Sequence, residues 1–257
     1  MIRLTLFMPF IIFLSNNLFS QEIKGCAIYY EIINFRGDSF LKGDSSVLFF
    51  NSDTSLYIKN PQFNIIRENV DTISIPDINL KLEVKRRYVS EPIYKYKNQS
   101  LTYSLFQNGD SSEIYYVLDS LPKFNWKITS IKKNILGLDC FKAISNEFRG
   151  RVYEVWFTYE IPISSGPWKL GGLPGLILEA NDVEEQIFFR IMKAEYPTSY
   201  HCDFKLNPLI QHKSIDYHIN NIKEVIKKFR ESIAIIGEVK NNKLDAMERF
   251  PELLEIE

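Results

Sequence analysis

The sequence lacks the short motifs that identify most catalytic centres. It contains no His-Glu-x-x-His, no Gly-x-Ser-x-Gly, no phosphate-binding glycine loop and no Cys-x-x-Cys pair. It also has no internal repeat, low-complexity tract or Pro/Ser-rich linker. We therefore predict one domain over residues 21–237, with no catalytic residue, no cofactor and no metal site.

A charge excess of either sign is also missing. Of 31 basic and 32 acidic side chains, only Arg3 lies in the first 20 residues, so the remainder carries a formal net charge of −2. Because binding to a phosphate backbone draws mainly on Lys and Arg, this balance gives no reason to expect a nucleic-acid partner.

Cysteine is scarce, since the chain has only Cys26, Cys140 and Cys202. At most one intramolecular disulfide can form from three thiols. An oxidising compartment would favour one bridge, but buried free thiols explain the composition equally well. The sequence does not assign a pair.

Long apolar runs are absent apart from residues 4–14, which follow Arg3 and lead to the small residue Ser20. A membrane-spanning helix needs about 20 apolar residues, so this run is too short. The pattern is typical of an export signal. We predict cleavage near Ser20 and a periplasmic, envelope or secreted protein with no transmembrane span; an uncleaved anchor is the alternative.

What the chain does have is a strand pattern, supported by an aromatic content of 14% weighted to Phe and Tyr. Asn108-Gly109 and Arg149-Gly150 suit hairpin turns. Meandering antiparallel pairing is the expected topology. The predicted strands are 28–33, 47–50, 56–58, 78–85, 101–106, 114–118, 140–148, 151–159 and Ile187–Glu195.

One helix is predicted near the C-terminus. After Ser214, a suitable N-cap, apolar residues recur at helical spacing as far as Ile236, and Gly237 follows. The polar face mixes Glu224 with lysines, which favours packing on the sheet over binding to a membrane surface. Residues 238–257 form a charged tail. Several strands are apolar on both faces, so the second face lines either a packed core or a cavity.

Glycine and proline are concentrated in residues 166–178, which hold four of the eleven glycines and two of the eleven prolines. Pro174 and Gly175 stand at the second and third positions preferred in a type II turn. We therefore predict such a turn over residues 173–176, followed by a buried strand that begins at Leu176.

The ordered motifs resemble the GLPGLI family of exported bacterial proteins. Residues 172–177 match the hexapeptide that names the family. The resemblance implies export and an envelope location, and it brings no established activity. The other matching segments are residues 135–143, 150–151, 156–158, 161–162 and 166–169.

The predicted fold class is mainly β with α: a curved antiparallel sheet or open half-barrel with a C-terminal amphipathic helix packed on it. This arrangement resembles the open half-barrels of periplasmic lipoprotein carriers, a likeness of fold that does not fix function.

The expected function is a non-catalytic binding or carrier module for an apolar ligand, a lipid or an envelope protein, with residues 166–175 as rim or lid. Arg151 and Lys169 are candidates for an anionic group. The alternative for the same loop is a rigid plug, in which these two cations bond nearby carbonyls. The candidate apolar contacts are Trp156, Trp168, Leu173, Pro174 and Leu176.

Three alternatives compete with this expectation. An enzyme of unrecognised type, such as a hydrolase, could use Glu154 and Glu160, but six strand residues separate them by roughly 20 Å, beyond the reach of paired carboxylates. An accessory subunit of an outer-membrane complex shares every feature of the binding module. His201, His212 and His218 could bind zinc or copper with Cys202 and Asp203, but their irregular spacing favours ordinary solvated or core-edge histidines.

Overall fold

The computed structural model describes residues 24–33, 43–59, 67–75, 80–88, 92–107, 113–200 and 202–236. Strands dominate these residues, and a single long helix, α1 (Ile215–Ile236), follows them. The strands are β1 (Gly25–Ile33), β2 (Asp44–Phe50), β3 (Thr54–Lys59), β4 (Arg67–Ile75), β5 (Leu80–Tyr88), β6 (Pro92–Tyr96), β7 (Leu101–Gln107), β8 (Ile114–Ser120), β9 (Lys127–Ile135), β10 (Leu138–Ile144), β11 (Tyr153–Thr158), β12 (Leu176–Asp182), β13 (Ile187–Glu195) and β14 (Gln211–Ser214).

Twelve of these strands form one open sheet, in the order β14-β8-β7-β6-β3-β2-β1-β13-β12-β11-β10-β9. Every neighbouring pair is antiparallel except β14 and β8, which run parallel. The sheet consists of two antiparallel meanders, one made by β1, β2, β3, β6, β7 and β8 and the other by β9 to β13. The two meanders join where β1 pairs with β13. β4 and β5 pair with each other in a separate two-stranded sheet. The predicted fold class, mainly β with a wide open sheet and a C-terminal helix, is confirmed.

Several predicted elements agree closely with the structure. β13 has the predicted limits, and the Ser214 hydroxyl accepts the Tyr217 N–H at 3.2 Å, as an N-cap should. The predicted strand at 78–85 corresponds to β5. The sequence did not predict β9, because this edge strand exposes side chains on both faces and shows no alternation. Residues 1–20, the turn at 108–109, Gly237 and the tail lie outside the described residues.

One face of the sheet, here called the inner face, carries the main core. Tyr29, Leu48, Tyr57, Val155 and Phe189 project from it and are all at most 2% exposed. The β11–β12 connection, residues 159–175, lies against this face and adds its own apolar side chains to the same cluster. We call this connection the motif loop.

The opposite, outer face is covered on the β6–β8 side by residues 196–210, here called the strap. The Tyr96 hydroxyl donates to the Phe204 carbonyl at 2.5 Å, and Asn207 N–H donates to the Tyr116 hydroxyl at 3.2 Å. The strap leads to β14 at the sheet edge. Helix α1 then starts on the inner side, where His218 packs against Tyr115. The predicted packing of helix on sheet is thus made by its first turns.

Within the described residues, α1 is the long helix, and it is not apolar enough to cross a membrane.

The β9–β10 hairpin turns through Leu136 and Gly137, which both have positive φ, 54° and 84°. Two-residue hairpins of this type prefer Asn-Gly, because the left-handed region disfavours a branched apolar residue. Leu136 is also 57% exposed, so its side chain contributes little packing. We expect Leu136→Asn to stabilise the fold by about 0.5–1 kcal/mol and to raise Tm by about 1–4 °C. Ile131→Thr, which removes a similarly exposed apolar side chain from β9, is the control and should leave Tm unchanged.

Candidate functional site

The motif loop follows a bent path whose bends differ from the predicted turn. Positive φ occurs at Trp168 (50°) and Gly172 (87°), and Gly175 does not have it, so the type II turn predicted at 173–176 is wrong. Gly175 has another role, because a Cβ there would lie 1.9 Å from the Thr158 carbonyl oxygen. Glycine is needed at this position for a close backbone contact between the loop and the end of β11.

Two lysines from the opposite part of the sheet hold the loop by its backbone. The Lys95 amine donates to the carbonyls of Gly166 at 2.8 Å and Leu170 at 2.9 Å. The Lys97 amine donates to the Ser164 carbonyl at 3.1 Å and also reaches the Asn51 carbonyl. Burial lowers the pKa of Lys95 well below its ordinary value, and burial lowers the pKa of Lys97 to about 8.

Lys95 belongs to a buried polar row that crosses the inner face. Strand register places Ser55, Lys95, Thr102 and Asp119 side by side on β3, β6, β7 and β8. All four are at most 6% exposed. The row ends at Asp119, whose carboxylate faces the loop. The sheet therefore presents donors and an acceptor to the backbone and to one charged side chain of the motif loop.

Lys169 is that charged side chain. It is 1% exposed, and its ammonium lies 3.5 Å from the Asp119 carboxylate. The same carboxylate accepts from the Arg149 guanidinium at 2.9 Å and from the Ser120 N–H at 2.8 Å. Lys169 thus pairs with a carboxylate inside the fold, where the sequence had suggested an anionic ligand or nearby carbonyls.

Arg151 is likewise committed to a contact within the chain. Its guanidinium forms an ion pair with Asp182 and donates to the Gln186 side chain at 3.0 Å. The other carboxylate oxygen of Asp182 accepts the N–H groups of Gln186 and Ile187, at 2.7 and 2.8 Å. Arg151 therefore fastens the β12–β13 turn.

The predicted apolar contacts do not gather in one place. Leu173 and Leu176 are buried in the core, and Pro174 is exposed. Trp168 is half-buried in the motif loop and packs on Tyr153. Trp156 lies on β11 on the outer face, where the Lys133 ammonium sits 4.3 Å from its ring centroid. The loop residues are brought together, and Trp156 is not among them.

The described carboxylates and histidines of the alternative constellations are also separated, and His201 lies outside the described residues. The Glu154 carboxylate pairs with Lys142 at 2.8 Å, whereas Glu160 accepts the Asp139 N–H at 2.7 Å. His212 packs on the outer face beside Tyr116 of β8. His218, on α1, packs on the inner face beside Tyr115 of the same strand. In the described part of the chain no group of three His, Cys, Asp or Glu side chains is arranged to hold a metal ion.

Sequence reasoning missed Lys95, Lys97 and Asp119. Alternation of lysine with tyrosine over residues 94–97 is the one signal present, and it ordinarily predicts a solvated strand face. It also missed Trp126, whose indole N–H donates to the Gly171 carbonyl at 2.8 Å. Trp126 joins an aromatic cluster at this end of the sheet, with Phe124, Phe148, Tyr153 and Trp168.

The motif loop also carries the likeness to known proteins. A family model described as "Protein of unknown function (Porph_ging)" matches residues 149–179. The GLPGLI resemblance is confirmed in this segment. The matched residues run from Arg149 through the motif loop to Glu179 on β12. They contain Lys169, Gly175 and Arg151, the residue that pairs with Asp182. No curated protein matches the chain.

Two solved structures of PNGF-II, in space groups P21 and C2, are similar to this chain in fold. Both share 18% sequence identity with it, and the TM-scores are 0.53 and 0.54. The match covers 77% of this chain and 32% of the PNGF-II chain, so this chain corresponds to about a third of that protein. At this identity the likeness shows the fold alone.

The close contact at Gly175 generates a stability prediction. Alanine would place its Cβ against the Thr158 carbonyl, a backbone group that cannot rotate away as a side chain could. We expect Gly175→Ala to cost about 3 kcal/mol and so to lower Tm by about 6–12 °C. Gly171→Ala is the matched control, because a Cβ there meets nothing within 4 Å. Equal melting temperatures for the two variants would contradict the proposed contact.

The burial of Lys95 generates a pH prediction. Its pKa is lowered in the folded state, so between that lowered value and the ordinary value of 10.5 the unfolded chain binds more protons than the folded one. The free energy of unfolding should therefore rise with pH between the lowered value and 10.5. Lys95→Met should remove this part of the slope in denaturant unfolding at several pH values. Lys123→Met, at an exposed lysine, should retain it; parallel profiles for Lys95→Met and wild type would refute the idea.

Proposed function

We propose that this protein is an exported, non-catalytic binding module of the cell envelope, with the motif loop as a fixed plug and the binding surface outside the sheet. The observation that carries the proposal is the filling of the inner face. Leu170 and Leu173 of the loop are at most 2% exposed there, and Lys95 and Lys97 hold the loop's carbonyls. A ligand enclosed at this position would have to displace all of these contacts.

The surroundings of the reactive side chains support a non-catalytic role. Arg151, Asp182, Lys169 and Asp119 pair with one another inside the fold. A catalytic acid or base must reach a substrate proton, and buried groups engaged in structural ion pairs are poorly placed for that. The fold's occurrence as about a third of the PNGF-II chain is consistent with a module that works beside other parts.

The end of the sheet near the motif loop offers the best surface for a partner. Here Trp126, Phe148 and Trp168 are half-buried and Pro174 is exposed, and we call these four residues the motif-end surface. Half-exposed tryptophans are enriched at protein interfaces, because they bury much area at little cost in conformational entropy. This geometry favours an envelope protein over a lipid held inside the sheet.

The test is native mass spectrometry of the protein purified from its own envelope fraction, with extraction of bound lipid. We expect a stoichiometric complex with a protein of defined mass, and we expect Trp168→Ala to weaken it at least tenfold, as loss of a central aromatic contact does. Leu209→Ala is the control, since this strap residue is 90% exposed and lies away from the motif loop.

The opposite outcomes are equally clear. If wild type retained a lipid adduct and Gly175→Ala lost it at unchanged Tm, the loop would be a lid. That result would favour the carrier hypothesis over the plug. If native mass spectrometry found only the unbound chain, both for wild type and for Trp168→Ala, the binding proposal would have no support.

A further inference from the structure

The beginning of the strap is fastened to the beginning of β1. The Thr198 N–H donates to the Lys24 carbonyl at 2.9 Å, a backbone contact between the two segments. Six residues further on, the Phe204 ring lies below the Lys24 ammonium, 5.6 Å from the ring centroid. Cys202 lies between these two anchors. Both anchors involve Lys24, which is two residues from Cys26.

Cys26 points to the side of the sheet on which the strap runs. It precedes Ala27 and Tyr29, which face the inner core, and it is paired with Phe49 on β2 and Glu195 on β13. Its side chain therefore projects from the outer face. Cys26 is 6% exposed, whereas Cys202 is half-buried in the strap.

The third cysteine is far from both. Cys140 lies on β10, and the sheet order places β13, β12 and β11 between β10 and β1. Four strand spacings of about 4.8 Å separate the two strands, whereas a disulfide needs Cα atoms about 4.4–6.8 Å apart. Of the three pairings that the sequence left open, the fold therefore excludes the two that include Cys140.

We propose that Cys26 and Cys202 form a disulfide in the exported protein, which ties the strap to the first strand, while Cys140 remains a thiol. The bridge would close a covalent loop that contains most of the sheet. It would also fix the segment that leads to β14 and α1. This inference rests on the export that we propose above, and it does not depend on the proposed binding of a partner.

The chemistry requires an oxidant that carries a disulfide, such as glutathione disulfide. The half-buried Cys202 thiolate attacks one sulfur of the oxidant and releases one thiolate. The Cys26 thiolate then attacks the Cys202 sulfur of this mixed disulfide and releases the second. Two thiols of the protein are oxidised to one disulfide, the oxidant is reduced to two thiols, and the two protons pass to those thiols.

The surroundings of the two thiols predict that the disulfide forms slowly at neutral pH. Burial raises the pKa of Cys26 to about 11, with the Glu195 carboxylate and the Cys202 thiol adding to the effect. Burial also raises the pKa of Cys202. Both groups are mainly protonated at neutral pH, so the bridge should form faster as pH rises.

The experiment treats the reduced full chain with glutathione disulfide and measures intact mass, thiols titrated after unfolding, and Tm. Wild type and Cys140→Ser should each lose two hydrogens, and the titrated thiols should fall from three to one in wild type and from two to none in Cys140→Ser. Their Tm should rise by several degrees on oxidation. Cys202→Ser should show neither the mass loss nor the rise in Tm, and because Cys202 is only half-buried this variant should fold as wild type does. Peptide mapping should find the 26–202 linkage.

Three results would overturn the assignment. They are a bridge that includes Cys140, a glutathione adduct that persists on Cys202 without reaction at Cys26, and wild type that keeps three thiols at alkaline pH.

Discussion

Burial of the motif loop against the inner face is the constraint on which the rest of the structure depends. The loop brings apolar side chains such as Leu170 and Leu173, but it also brings backbone carbonyls that lose water when it docks. A buried carbonyl without a donor costs free energy comparable to a lost hydrogen bond. Lys95 supplies donors to two of these carbonyls from β6, and Gly175 lets the backbone approach Thr158.

The buried charges around the loop also need partners within the chain. Arg151 and Asp182 fasten the far end of β12, and Asp119 joins the loop to β8 through Lys169. Replacing such pairs by apolar residues is often neutral or even stabilising, whereas removing one partner costs several kcal/mol. The pairs are therefore best understood as fixing one arrangement of loop and strands. They make slipped or detached arrangements costly, because each would leave an unpaired charge in the interior.

The sequence predicted the parts of this arrangement that depend on local pattern. Alternation located most strands, and Ser214 with its apolar periodicity located the helix. It did not predict β9, whose edge position removes the alternation, or the inner-face role of Lys95, since a lysine in a strand ordinarily faces water. The role of Gly175 was misassigned for a related reason: the contact with Thr158 is long-range, and a Pro-Gly pair seen locally indicates only a turn.

The same contacts limit where a partner could bind. In the described residues the inner face is filled by the motif loop, and the outer face over β6–β8 is covered by the strap. The outer face over β10–β13 carries paired charges, including Lys142 with Glu154 and Arg190 with Glu179, which favour water over an apolar partner. At the motif end, by contrast, the aromatic side chains of Trp126, Phe148 and Trp168 are half-exposed. The residues that make the loop rigid therefore also hold Trp168 and Pro174 at the surface, so one set of contacts gives both a closed interior and an exposed rim.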